Sequence, residues 1–377
     1  MGPMMILGRA FWILAWVATT QEPSDPSAQD RHIKRWIADW SSEDLELRDR
    51  ATRELEQIGE SVRGSLEAVL RDNTPGAEVQ ARAKSLLEKL DQRQRDLEAR
   101  RMGRIVFIRQ QMDKTRDVWT IDFHGEHETQ LTDTARNWTP IWSPDGMKIA
   151  FVSREQDNID QIQIMNADGS HRISLSQNFA TETGPCWSPD GESLSFISTR
   201  TGGMGIYIMR ADGSGVRPLT EGSVYTAYPY SRASWSPSGT ELVFSSSTDG
   251  RTGIYTMNSD GSGLRRLTNL ESEHTGDSNP TWSPDGKRIA FLSRKTLSVM
   301  DVEGGSIEPL VELNYYASPP TWSPDGKYLA YSFRARLHVL EVQHRTVRAI
   351  TQGNLELDSE PSWGPAGLPV ESIPQGD

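Results

Sequence analysis

The sequence predicts an all-β propeller of six four-stranded blades, closed by its C-terminal strand and preceded by a small all-α segment. Three observations carry this. A tryptophan-turn motif recurs six times: "IWSPDG" from 141, "CWSPDG" from 186, "SWSPSG" from 234, "TWSPDG" from 281 and from 321, and "SWGPAG" from 362. A second turn recurs in register with it, as "NADGS" from 166, "RADGS" from 210 and "NSDGS" from 258. Upstream, residues 30–101 carry helical periodicity and no strand pattern.

The N-terminus comes first in chain order. "MGPMMILGRAFWILAWVATTQEPSDPSAQD" has one positive charge, Arg9, then an apolar stretch from Ala10 to Ala18, then a polar run with prolines. This is the layout of a secretory signal peptide, expected over 1–20, with 21–29 as a linker. The run from Ala10 is too short to span a bilayer, so no membrane span is expected in the mature chain. A periplasmic or otherwise extracytoplasmic location follows.

Over 30–101, Ile33, Trp36, Ile37 and Trp40 stand at helical spacing, and Ser41 with Asp44 has the spacing of a capping box. Leu47, Ala51, Leu55 and Ile58 form the next stripe, with Gly59 as its stop. Val62, Leu66, Val69 and Leu70 follow, then "NTPG" breaks the chain at 73–76. Val79, Ala83, Leu86, Leu87 and Leu90 form the last stripe, and the charged run to 101 is expected to prolong that helix. "RATRELEQIGESVRGSLEAVL" followed by "AEVQARAKSLLEKL" resembles HEAT-type helical repeats. One to two such units need a surface to pack on, either the rest of the chain or a partner.

The repeats follow. In "PTWSPDGKRIAFLSRKTLSVMDVEGGSIEPLVE" (280–312), four short strands alternate with turns. Proline presets φ at the first corner, Asp145, Asp190, Asp285 and Asp325 suit the second, and glycine accepts the left-handed position. A broad indole before the turn can bridge two packed sheets. Trp142, Trp187, Trp235, Trp282, Trp322 and Trp363 are spaced by 45, 48, 47, 40 and 41 residues. Four strands at such a period mark a β-propeller. Second-strand runs begin near Ile105, Ile149, Leu194, Leu242, Ile289 and Leu329. The first, "RIVFIR", has no tryptophan strand before it, and "PSWGPAG" has no second strand after it. Each supplies what the other lacks, so Ser362–Gly364 is expected to be the innermost strand of the first blade, leaving no long free edge.

"WSPDGKRIAFLS", "QIQIMNADGSHRISL" and "GIYIMRADGSGVRPLT" resemble the WD40-like PD40 repeat of the TolB-like propellers, over 103–365, with 366–377 as a tail. The resemblance implies an envelope-side binding propeller and leaves its partner open. TolB carries an α/β N-terminal domain where this chain has helices. TolB's binding of the peptidoglycan-associated lipoprotein therefore does not transfer by itself.

Strand order separates two faces. The short stereotyped turns share one. The loops after the second and fourth strands share the other and vary from blade to blade, the usual place for recognition on a rigid scaffold. Tyr225, Tyr228, Tyr230, Tyr315 and Tyr316, with Trp138 and Phe179, give these loops aromatic contact area. Arginines recur after the second strand: Arg109, Arg154, Arg200, Arg294 and Arg334, with Arg251 in the remaining blade. They either meet carboxylates of a partner or belong to the construction of each blade.

Residues 30–102 hold 15 Lys/Arg and 16 Asp/Glu, and residues 103–377 hold 24 and 34, a net of −10. Nucleic acid and anionic membranes need the opposite sign. The overall field favours basic or neutral partners. One cysteine, Cys186, cannot form an internal disulfide, and no Cys/His set has zinc spacing. No G-x-S-x-G elbow, Walker loop or H-E-x-x-H occurs, and the histidines are scattered over different blades, so no catalytic residue and no cofactor are expected. Glu271, Glu273, His274 and Asp277 could hold a divalent cation or remain a solvated acidic loop. The sequence thus reads as a non-catalytic scaffold for a protein partner in the cell envelope. The alternative is a carbohydrate-binding or carbohydrate-active propeller using the loop tyrosines and a cation at 271–277.

Overall fold

Proline presets the helical φ and lacks the N–H that a first turn leaves unpaired, and the first helix, α1 (Pro26–Asp39), begins on one. The structure, a computed structural model, describes residues 26–367 except 73, 135, 155–158, 177–178, 221–231, 248–251, 269–275, 314–316 and 354–355. The chain falls into two compact units, Met1–Gln94 and Arg95–Asp377. The signal-like segment 1–20 and the end of the tail, 368–377, lie outside the described residues.

In the first unit α1 is followed by α2 (Leu45–Ile58), a 3-10 turn (Gly59–Val62), α3 (Arg63–Arg71) and the start of α4 (Ala77–Met102). The predicted capping box is not formed. Asp44 itself caps α2, its carboxylate accepting the N–H groups of Glu46 (2.8 Å) and Leu47 (3.4 Å). An aspartate one residue before the helix reaches those N–H groups directly, so Ser41 is not needed. Gly59, at φ 72, ends α2 as expected. Ile33, Trp40, Ala51, Leu55, Leu66, Ala83 and Leu86 meet in one core. Trp40 is fully enclosed because its indole N–H finds Thr52 Oγ1 at 2.9 Å. Leu47 and Leu70, placed on the apolar stripes by spacing, are exposed instead.

The second unit contains six antiparallel four-stranded sheets. Blade A holds β1 (Arg104–Gln110), β2 (Arg116–Asp122) and β3 (Thr129–Gln130). Blade B holds β4 (Asn137–Trp142), β5 (Lys148–Arg154), β6 (Asp160–Asn166) and β7 (Ile173–Ser174). Blade C holds β8 (Glu182–Trp187), β9 (Ser193–Ser198), β10 (Gly205–Arg210) and β11 (Arg217–Pro218). Blade D holds β12 (Ser234–Trp235), β13 (Glu241–Ser246), β14 (Gly253–Asn258) and β15 (Arg265–Arg266). Blade E holds β16 (Asp277–Trp282), β17 (Arg288–Ser293), β18 (Thr296–Asp301) and β19 (Ile307–Glu312). Blade F holds β20 (Thr321–Trp322), β21 (Tyr328–Phe333), β22 (Arg336–Glu341) and β23 (Thr346–Ala349). The last strand, β24 (Leu357–Trp363), returns to blade A and pairs antiparallel with β1, as the sequence predicts.

Neighbouring blades are joined by the repeated residues. The six motif tryptophans are all buried. Trp235 donates its indole N–H to the Cys186 carbonyl at 3.2 Å, and Trp322 donates to that of Thr281 at 3.4 Å. Each acceptor precedes the tryptophan of the previous blade. Phe107, Phe151, Phe196, Phe244, Phe291 and Tyr331, one on each second strand, fill the gaps between sheets. Cys186 is a buried free thiol whose pKa burial pushes up.

The Ser-Pro-Asp-Gly turn is a closed hydrogen-bond set. Asp145 accepts from Ser143 Oγ (2.6 Å) and from the Met147 N–H (2.9 Å), and Asp190, Asp285 and Asp325 repeat this. In the second turn the glycine approaches the previous blade. A Cβ on Gly213 would stand 2.6 Å from the Leu175 carbonyl oxygen, and one on Gly169 would stand 2.7 Å from that of Leu131.

The fourth strands of blades A to D are only two residues long. A hydroxyl completes the ladder there. Thr132, Ser176, Thr220 and Thr268 accept the N–H groups of Val118, Ile162, Ile206 and Ile254 at 2.9–3.1 Å. The innermost strands carry a bulge three residues before the tryptophan, where Thr139, Gly184, Asn279 and Glu360 have φ between 47 and 60.

Two predictions follow from the turns. Gly213→Ala combines positive φ with a backbone collision and is expected to destabilise by about 2–4 kcal/mol in chemical denaturation. Gly202→Ala has positive φ (89) but no atom within 4 Å of the new Cβ, and is expected to lose only about 1 kcal/mol. The second concerns pH. The Ser143, Ser188 and Ser283 hydroxyls, followed by nearby N–H groups, hold Asp145, Asp190 and Asp285 below the ordinary carboxylate value. Their contribution is complete above the unfolded value of about 3.9 and is lost as pH falls through the lower folded values. A triple Asp→Asn variant should therefore be less stable than the parent at neutral pH, and the gap should close on acidification below about pH 3.

Candidate interaction surface

Each innermost strand starts on the variable face, so its first residue sits beside the end of the second strand. This juxtaposition absorbs two of the sequence-predicted arginines. Arg109 on β1 grips Asp358 on β24 with Nε (2.8 Å) and Nη2 (3.1 Å), and also bonds Glu128 (2.7 Å) and approaches Glu356 (3.1 Å). Burial alone would lower its pKa, but the bonds to Glu128 and Asp358 raise it above the ordinary guanidinium value. Its guanidinium also lies over Phe107 and Trp119. Arg200 bonds the fully buried Glu182 and lies over Phe196 and Tyr207.

The others are arranged differently. Arg154 holds Asp160 through Nε (2.7 Å) and Nη2 (2.8 Å), and its guanidinium lies 4.9 Å from the Trp138 ring centre. Arg334 has φ 51 in the turn between β21 and β22 and lies over Phe333. Arg294, at φ 55, lines a 640 Å³ cavity on blade E. Phe179 is 94% exposed on the loop between β7 and β8. Tyr225, Tyr228, Tyr230, Tyr315, Tyr316 and Arg251 lie outside the described residues. So do Glu271, Glu273 and His274. Asp277 is turned into blade E, where its carboxylate accepts the Ser293 hydroxyl at 2.7 Å.

The feature that sequence reading missed is a cationic cleft at the junction of blades A and B. A 630 Å³ cavity is lined by Arg136, Arg154 and Arg172 with Thr134, Ser153 and Gln163. A 420 Å³ cavity shares Arg136 and Arg154 with it and adds Asp113, Lys114, Thr115, Arg116 and Trp138. Arg172 donates to Gln163 Oε1, Thr134 Oγ1 (2.8 Å) and Ser153 Oγ (2.7 Å), acceptors that carry no charge. Arg116 lies over Trp138 at 5.7 Å, beside Arg154. The signal is weak in sequence, because Arg116, Arg136, Arg154 and Arg172 come from four different segments of two blades.

The opposite face is built otherwise. A 330 Å³ hollow there is lined by motif residues, among them Trp142, Trp187, Trp322, Trp363, Pro144 and Pro284. Among the described residues one set has metal-compatible spacing, Asp122, Glu126 and His127. Its buried Asp122 already accepts the N–H groups of His124 (2.9 Å) and Glu126 (2.8 Å) and contacts His127 Nδ1 (2.8 Å), which is the bonding of a turn.

The six closed blades define a propeller whose variable face bears a cationic cleft. Residues 134–234 and 227–370 match the PD40 TolB beta propeller domain, more than half of the chain, and the chain belongs to that family. Membership supports a propeller that works by interaction with protein. Among solved structures, TolB from Acinetobacter baumannii is 23% identical at a TM-score of 0.63, the match covering 78% of this chain and 74% of that one. A chain of the nidogen/laminin complex is 11% identical at a TM-score of 0.59, covering 71% of this chain and 100% of that one. Hydrazine synthase of Kuenenia stuttgartiensis is 15% identical at a TM-score of 0.54, covering 72% and 47%. At these identities the likeness carries the fold alone. No helix of the described residues is long and apolar enough to cross a membrane.

The buried pair gives a prediction. Arg109→Met leaves the enclosed Asp358 carboxylate without its guanidinium and is expected to destabilise by about 3–5 kcal/mol. Arg109→Met combined with Asp358→Leu should lose much less than the sum of the two single changes, read from a double-mutant cycle in denaturant.

Proposed function

We propose that the protein is an extracytoplasmic, non-catalytic TolB-like propeller that acts as a protein-interaction scaffold in the cell envelope. Its variable face receives an acidic segment of a partner in the cleft between blades A and B. The HEAT-like helices of 30–101 serve as a second docking element. The observation that carries this reading is the joint lining of adjacent cavities by Arg116, Arg136, Arg154 and Arg172 beside Trp138, in a chain whose net charge is −12. A local charge opposite to the overall one selects an acidic surface at contact, although the overall field favours basic or neutral ones at a distance. The signal-like layout of 1–20 supports export. The ring of Trp138 is already attended by two guanidinium groups, which disfavours it as a sugar-stacking platform.

The test is capture of a partner. The chain from residue 22 would be immobilised and exposed to cell-envelope extract of the source organism, beside an Arg154→Gln/Arg172→Gln variant. A discrete protein is expected on the parent, released as ionic strength rises past about 0.15 M, and reduced at least tenfold on the variant. Equal retention by both would remove the cleft from the interaction. Retention of polysaccharide without protein would replace the scaffold reading with the carbohydrate one.

A further inference from the structure

The innermost strands bring a second polar set together, inside the ring. Three residues before each motif tryptophan stand Thr139, Gly184, Arg232, Asn279, Pro319 and Glu360, one per blade. Four of them occupy the left-handed bulge, which turns them out of the regular alternation of the strand. Arg232 belongs to the approach to β12 in blade D and Glu360 to β24 in blade A. In a ring of six these blades are opposite; burial pulls the pKa of Arg232 down and pushes that of Glu360 up, and the attraction between the two offsets this only in part. Arg232 is 8% exposed and Glu360 is 6% exposed.

The two ends of this axis are not equivalent. Glu360 is engaged, its Oε2 accepting the N–H of Thr139 on the neighbouring blade. Arg232 is not. Among the described residues its Nε and Nη2 are enclosed without a hydrogen-bond partner, and so are Thr139 Oγ1 and Asn279 Oδ1 at the matching positions of blades B and E. Nε and Nη2 form the side of the guanidinium that takes both oxygens of one carboxylate. This chain uses that same fork elsewhere: Arg109 fills it with Asp358, and Arg154 fills it with Asp160. An enclosed cation with an open fork is destabilising unless a counter-charge meets it.

We propose that the central channel is a carboxylate-binding site, in which Arg232 Nε and Nη2 take the two carboxylate oxygens. The carboxylate comes from a small free acid or from the end of an inserted peptide. Glu360 sets the limit on affinity, because its own carboxyl group faces the ligand from across the axis. This site is separate from the cleft between blades A and B and stands or falls independently of it.

The full mature chain, uniformly labelled with nitrogen-15, would be titrated with sodium acetate and, at matched ionic strength, with sodium chloride. The arginine Nε–H resonance assigned to Arg232, by its loss in Arg232→Lys, is expected to shift saturably with acetate and not with chloride. Acetyl-glycyl-glycine forms the second arm. Binding of acetate makes the source a small acid, and binding of the dipeptide alone makes it a chain terminus. Glu360→Gln keeps the bond to Thr139 and removes the opposing charge, and should tighten acetate binding roughly threefold to tenfold. No response of the Arg232 resonance to either carboxylate would overturn the proposal. An equal response to chloride, or unchanged acetate affinity in Glu360→Gln, would overturn it as well.

Discussion

The pairing of β24 with β1 is the constraint on which the rest of the molecule depends. Leu357 to Trp363 run antiparallel to β1, and Gly364 continues the contact by donating its N–H to the Arg104 carbonyl at 2.7 Å. Trp363 then does for the first blade what the other tryptophans do in sequence. Its indole N–H donates to the Met102 carbonyl, and its backbone N–H donates to Thr321 Oγ1 on blade F at 3.1 Å. Without this strand, β1 would present an open ladder and blade F would have no neighbour on one side. With it, every blade is a wedge between two others, and the angle of each wedge is set by its neighbours. Local contacts such as the Gly213 approach to Leu175 therefore bear on the whole ring.

Closure also divides the surface by function. On one face, turns of fixed composition satisfy their own hydrogen bonds with serine, aspartate and glycine, and little is left over for a partner. On the other, strand ends need only be anchored, and the anchor differs in each blade: Asp358 to Arg109, Glu182 to Arg200, Asp277 to Ser293. Asn137 is anchored instead to Arg116 O and Thr132 Oγ1. In blade B the anchoring group is neutral. The cationic cleft lies at its junction with blade A. Asn137 stands there where blades A, C and E carry an acid, and it contacts the buried Asp117 carboxylate at 3.4 Å.

Much of the fold was legible because it rests on residue types that repeat. The tryptophans, the Asp-Gly turns and the missing strand of blade A predicted six blades and the manner of closure. Features set by position rather than type were not legible. The bulge residues are Thr139, Gly184, Asn279 and Glu360, with Arg232 and Pro319 aligned to them, and no composition links these six. The arginines after the second strands were visible, but the partner of Arg109 lies 249 residues away and became its neighbour only through closure. The hydroxyls of Thr132, Ser176, Thr220 and Thr268 recur at a regular interval after a leucine, and that signal was present in the sequence. An outer strand needs fewer residues when a side chain completes the ladder, so these strands carry little pattern of their own.

The same physical rule governs both polar regions of the ring. A guanidinium removed from water must meet negative charge or several well-placed acceptors. Arg109 meets Glu128, Glu356 and Asp358, Arg154 meets Asp160, and Arg172 donates to Gln163, Thr134 and Ser153. Among the described residues Arg232 has no hydrogen-bond partner at Nε and Nη2, and its burial pulls its pKa down. From Arg109 to Arg232 the chain's described residues satisfy the cation less completely. A scaffold needs such a gradient, because a fully satisfied arginine contributes to stability while an incompletely satisfied one contributes to recognition. The rigidity supplied by closure is what lets the second kind persist, since an open ring could relax until each cation found a partner of its own.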